Sequence, residues 1–157
     1  EKQQFMKKYQ QSGRKALVNY LGTTEEIDFA LVNDIIRKFR AGSGSIAFKR
    51  MGRKPEDIWF EKIDCSKKQI LIIEWTHGNS KFLKNIDFPV FLYSSPNETL
   101  HHRLKRGRDV GVASPFTDLV LNIEQESLNR RADHAALIIT KSGDILSNIN
   151  LIVNNNE

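Results

Sequence analysis

Apolar positions in this chain gather into a few short runs, and the spacing within each run predicts a different element. Ile27, Leu31, Ile35 and Phe39 recur every four residues, which sets them on one helical face while Asp34, Arg37, Lys38 and Arg40 face water. Thr23 followed three residues later by Glu26 has the capping-box pattern of a helix start, and Gly42 stops the helix. Ile46 to Phe48 and Ile58 to Phe60 are β-prone pieces around a basic Gly/Pro loop, so they predict a hairpin-like excursion. Ile70-Leu-Ile-Ile73 is apolar at four consecutive positions, the pattern of a strand covered on both faces in the middle of a parallel sheet. Glu74 ends that run, at the edge where open α/β sheets bind ligands. A carboxylate that merely ends a strand in solvent is the competing reading.

Phe88 to Tyr93 predicts a second apolar strand. Ser95 follows as an N-cap, with Pro96 at the first helical position and Glu98 at the third, opening a helix toward a basic cluster. The same grammar recurs at Ser114-Pro115, ahead of Leu119, Val120, Ile123 and Leu128. Ala135 to Ile139 predicts a third buried strand, and Ile149 to Val153 an edge strand. Glu1 to Arg14 is polar and basic, a short helix or a loosely held arm, and residues 1–20 are set apart on that account. Strands alternating with helices give an α/β fold, a parallel sheet flanked by helices in one domain over residues 1–157.

Composition narrows the classes of function. The longest apolar runs are too short to cross a bilayer and no signal-peptide order is present, so a cytoplasmic protein without membrane partners is expected. Cys65 is the single cysteine, which excludes an internal disulfide. The net charge of +5 is split between two clusters, Lys49, Arg50, Arg53 and Lys54, and then Arg103, Lys105, Arg106 and Arg108. Such groups suit a phosphorylated small molecule as well as nucleic acid.

Candidate chemistry is sparse. Arg40-Ala-Gly-Ser-Gly-Ser-Ile46 is glycine-rich, but it runs from helix to strand and lacks a following Lys-Ser or Lys-Thr, so it predicts a C-cap and turn instead of a phosphate cradle. The second arginine cluster either complements a helix C-terminus or forms a lid whose guanidinium groups close over phosphates. His77, His101, His102 and His134 lack metal-ligand spacing with one another or with Cys65. Asp28 and Asp34 are six positions apart on one helix, so they point to different faces and do not pair.

Ile27-Asp28-Phe29, then Ile72-Ile73-Glu74 with Gly78, then Arg103 to Asp109, then Ala135-Ala-Leu-Ile-Ile139 follow one another in an order that resembles the C-terminal two thirds of the uridine kinase and phosphoribulokinase group of P-loop kinases. The resemblance covers roughly residues 20 to 140 and implies a P-loop NTPase-like fold lacking its N-terminal strand, phosphate loop and helix. It implies ATP and Mg2+ as donor and cofactor, with Glu74 beside the magnesium or the acceptor hydroxyl. Arg103, Arg106 and Arg108 would form the lid over the nucleotide phosphates. Asp28, Arg50 or Arg53, and His77 would line the substrate side. Gly78 departs from the pattern, because in that group the glycine follows the glutamate directly.

The resulting expectation is a kinase-like domain whose parent phosphorylates a hydroxyl of a nucleoside, sugar or pantothenate-like compound, inactive without a phosphate loop. The alternative is a non-catalytic module of the same fold that binds a phosphorylated ligand or a partner protein, either as a homo-oligomer or with the remainder of a longer polypeptide. A basic RNA-binding domain is the weakest reading, because Trp59, Phe60 and Trp75 lie in strand patterns that read as buried.

Overall fold

The computed structural model describes residues 2–50, 55–95, 98 and 114–146. Its first element, α1 (Lys2–Tyr20), is broken at Ser12 and Gly13, where Gly13 adopts φ +58°. The half after the break buries Leu17 and Tyr20, together with Leu21, against Val120 and Ile123 of a second long helix, α3 (Pro115–Arg131). Edge-to-face ring pairs, Phe5 with Tyr20 at 6.2 Å and Tyr9 with Phe116 at 5.5 Å, extend this contact toward the N-terminus. The opening segment is therefore a helix packed on the domain. Ser114 caps α3 by accepting from the Thr117 amide at 3.1 Å, with Pro115 in the first turn as expected.

Between them lies α2 (Phe29–Arg40), whose N-cap is Asp28. The Asp28 carboxylate accepts from the amides of Ala30 at 3.0 Å and Leu31 at 3.3 Å, so the helix starts later than Thr23. Thr23 and Glu26 instead fix the preceding turn. Glu26 Oε2 accepts from the Gly22 amide at 2.6 Å, and the Thr23 hydroxyl donates to Tyr20 O at 2.7 Å. At the other end Gly42 adopts φ +71°, while its amide bonds Phe39 O and the Ser43 amide bonds Lys38 O, both at 3.0 Å. These two bonds define a Schellman ending, so the glycine-rich segment is a C-cap.

Helix α2 buries Phe29 and Ile36, two turns apart, against Leu83, with Leu71, Ile73 and Trp75 packed around them. Asn33 ties the same surface down through its side chain, donating to Phe82 O and accepting from the Lys84 amide, both at 2.9 Å.

The predicted hairpin is present. β1 (Ser45–Arg50) pairs antiparallel with β2 (Trp59–Asp64), from Ser45 opposite Asp64 to Arg50 opposite Trp59. A second sheet holds β3 (Val90–Tyr93), β4 (Leu137–Thr140) and β5 (Ile145–Leu146). β3 and β4 run parallel, whereas β4 and β5 run antiparallel. The fold is mixed α/β, and this sheet is mixed instead of wholly parallel. Phe91 and Ile138 turn inward onto Ala132, with Leu128 of α3 packed against them.

The run Ile70 to Ile73 departs from its expected place. It belongs to no strand, and its burial alternates. Leu71 and Ile73 pack beneath α2, while Ile70 and Ile72 are 78% and 84% exposed. A uniformly apolar sequence predicts cover on both faces, and the described residues cover only one. Trp59 and Phe60 also differ from expectation, at 54% and 60% exposed on the narrow ribbon. The expected strand at Ile149 to Val153 lies outside the described residues. Ser95 and Glu98 form the predicted reciprocal cap, the Ser95 amide reaching Glu98 Oε2 at 2.7 Å and the Glu98 amide reaching Ser95 Oγ at 3.2 Å. No helix among the described residues is long and apolar enough to cross a membrane.

Candidate functional site

Glu74 is exposed, one residue ahead of the half-buried Trp75. The chain then folds into a turn, closed by the Gly78 amide on Trp75 O at 2.9 Å and the Ser80 amide on His77 O at 3.0 Å. That turn seats His77 edge-on to Trp75 at 5.4 Å and to Phe29 at 6.5 Å. Burial among these rings disfavours the imidazolium, and the neighbouring Arg131 cation disfavours it further, so the His77 pKa falls to about 4. His77 is neutral at physiological pH.

Its tautomer follows from its partner. Arg131 Nη1 lies 3.3 Å from His77 Nδ1, and a guanidinium can only donate, so Nδ1 accepts and the ring proton sits on Nε2. Arg131 Nη2 also donates to Gly22 O at 3.0 Å. Gly22 meets two requirements at once. Its φ is +69°, and a Cβ there would lie 2.5 Å from Arg131 Nη2. Burial and the Arg130 cation hold the Arg131 pKa below its usual range, while the Glu26 carboxylate opposes them. The loop after α1, the turn after Trp75 and the end of α3 are thus locked together through one guanidinium.

Beside this lock opens a cleft of about 270 Å³. Thr23, Ser80 and Ser127 bring hydroxyls to it, and Lys81, Arg130 and Arg131 bring cations, with no carboxylate among its described lining residues. Convergent hydroxyls and cations beside apolar walls suit a small polyol or an anionic group, and the volume is near the lower end of small-molecule pockets. Arg131 and Gly22 escaped the sequence reading. The pair Arg130-Arg131 ends a helix, where basic residues usually complement the backbone dipole, and only tertiary structure turns one of them inward.

The other expected site residues scatter. Asp28 is occupied as the N-cap of α2, although the helix it opens delivers Phe29 to His77. Arg50 stands on the β1–β2 ribbon and pairs with Glu61 at 2.6 Å. Arg53, Arg103, Arg106 and Arg108 lie outside the described residues. Glu74 offers a single exposed carboxylate, and among the described residues no three His, Cys, Asp or Glu side chains form a metal-holding group. With the Arg40 to Ile46 segment serving as a C-cap, the described residues provide no cradle for a triphosphate.

No protein-family model matches the chain, and no solved structure matches it. Among curated proteins it is similar to the bifunctional alpha-galactosidase/sucrose kinase AgaSK of Mediterraneibacter gnavus, with 43% identity over 140 residues. The match covers 89% of this chain and 15% of that relative, so the chain spans a small part of the relative's length.

Proposed function

We propose that this chain is part of a sugar kinase domain within a longer polypeptide, one that transfers the γ-phosphate of ATP to a hydroxyl of a sugar such as sucrose. The observation that carries this reading is the 43% identity to a protein whose name includes a sucrose kinase activity. That name also includes a galactosidase, and the residues of this chain favour the kinase. Glu74 after the apolar run Ile70 to Ile73, the arginine-rich stretch from Arg103 to Arg108 and the apolar run at Ala135 to Ile139 stand in the order seen in the uridine kinase-like group. The parallel pairing of β3 with β4 is compatible with that P-loop arrangement.

In this reading the cleft beside Arg131 takes the sugar, because the Ser80 and Ser127 hydroxyls that line it can exchange hydrogen bonds with a polyol. Neutral His77 holds Arg131 in place without adding charge. Glu74 is the residue for magnesium or for the acceptor hydroxyl, and the phosphate-cradling loop comes from outside these 157 residues. The chain by itself is then inactive.

The test uses the whole polypeptide that the gene encodes. Magnesium-dependent ATP consumption is measured across sucrose, other disaccharides, monosaccharides and nucleosides, with Glu74→Gln as a control. Turnover that requires a sugar and falls at least 100-fold in the variant is expected. Turnover only with nucleosides would replace the acceptor class, and unchanged turnover in the variant would remove Glu74 from the mechanism.

A further inference from the structure

The cleft beside Arg131 offers more hydrogen-bond donors than a neutral sugar uses. Two elements supply them. On α3, Ser127, Arg130 and Arg131 stand at i, i+3 and i+4, so one helical face carries a hydroxyl and two guanidinium groups to the cleft. The turn after His77 adds Ser80, 6% exposed, and Lys81 next to it. Lysine and arginine side chains can only donate. The Thr23 hydroxyl is already committed, donating to Tyr20 O at 2.7 Å and accepting from the Glu25 amide at 3.3 Å. Glu26 and Glu124, the carboxylates near Arg131, stand outside the described lining of the cleft. A sugar hydroxyl both donates and accepts, whereas a phosphate ester dianion only accepts and carries a charge of about −1.5 to −2 near pH 7.

Arg131 is also aimed in advance. Gly22 O holds its Nη2 at 3.0 Å and His77 Nδ1 holds its Nη1 at 3.3 Å, and these two bonds leave N–H groups of the fork for an anion. A guanidinium set in place beforehand loses little freedom on binding. Burial first, and then the Arg130 cation, disfavour the charge on Arg131, and an anion between the two arginines relieves that repulsion. Complementing the dipole at the end of α3 accounts for Arg130 and Arg131 but not for Lys81, which comes from a separate turn.

We infer that this cleft holds a sugar monophosphate more tightly than the neutral sugar, with Lys81, Arg130 and Arg131 on the phosphate and Ser80 and Ser127 donating beside them. The inference rests on the reading of the cleft as the sugar site and adds regulation to it. The phosphorylated product competes with the sugar, so turnover slows as product accumulates.

Calorimetric titration of the whole gene-encoded polypeptide, without ATP or magnesium, tests it with sucrose, sucrose phosphate, glucose 6-phosphate and inorganic phosphate. Sucrose phosphate binds at least 10-fold more tightly than sucrose, and high salt shrinks the ratio. Lys81→Gln combined with Arg130→Gln, two exposed positions, brings the ratio toward one. Equal affinity for sucrose and its phosphate in the unmodified protein overturns the inference. So does a ratio that survives the double variant, which would place the phosphate elsewhere. Inorganic phosphate or glucose 6-phosphate binding as tightly as sucrose phosphate overturns it in favour of a general anion site or a sugar phosphate from another source. Phosphate transfer to sucrose alongside a ratio of one refutes this inference and leaves the kinase reading standing; a 10-fold ratio without any transfer does the reverse.

Discussion

Gly22 is the residue on which the site's geometry turns. Gly22→Ala forces a side chain into the left-handed region, at roughly 1–2 kcal/mol, and places its methyl where Arg131 Nη2 sits. Urea unfolding of the variant should show at least that loss, and the His77 ring resonances should shift because Arg131 leaves Nδ1. His77 itself makes stability depend on pH. Its folded pKa of about 4 lies below the ordinary imidazole value of 6.5, so the unfolded chain binds the proton more readily. The contribution is complete above about pH 6.5 and declines as pH falls toward 4. Thermal melts should show that decline in the parent chain and a flatter profile in His77→Asn, which keeps an acceptor and cannot titrate. None of this was visible beforehand, since a lone loop histidine reads as polar surface until the rings of Trp75 and Phe29 are found around it.

Elements were more legible than their boundaries. Local rules that need no partner held: the Ser114-Pro115 helix start, the Ser95–Glu98 reciprocal cap, the glycine ending at Gly42 and the ribbon around residues 45–64. The α2 start moved because two residues competed for it. Thr23 and Glu26 satisfy the turn at Gly22, and Asp28 takes the helix. Asp28→Ala should therefore lower stability by about 1 kcal/mol, and Asp28→Asn should restore most of it, as measured by denaturant unfolding. A substrate role would instead leave stability unchanged and raise KM for the sugar in both variants.

At the scale of the whole molecule, what could not be read was which apolar runs have neighbours on both sides. Ile70 to Ile73 has the composition of an interior strand, but composition states a need for cover and does not supply it. In the structure Leu71 and Ile73 find α2, and Ile70 and Ile72 find nothing among the described residues that covers them. The proposed reading links fold to activity by placing the phosphate-cradling loop in the longer polypeptide. Transfer of label from γ-labelled ATP to sucrose by the whole gene-encoded polypeptide, run beside the 157-residue chain, tests that account most directly. Labelled sugar phosphate from the longer protein and none from the short one is the predicted result. A longer protein that labels no sugar, with magnesium present and the fold intact, would contradict it.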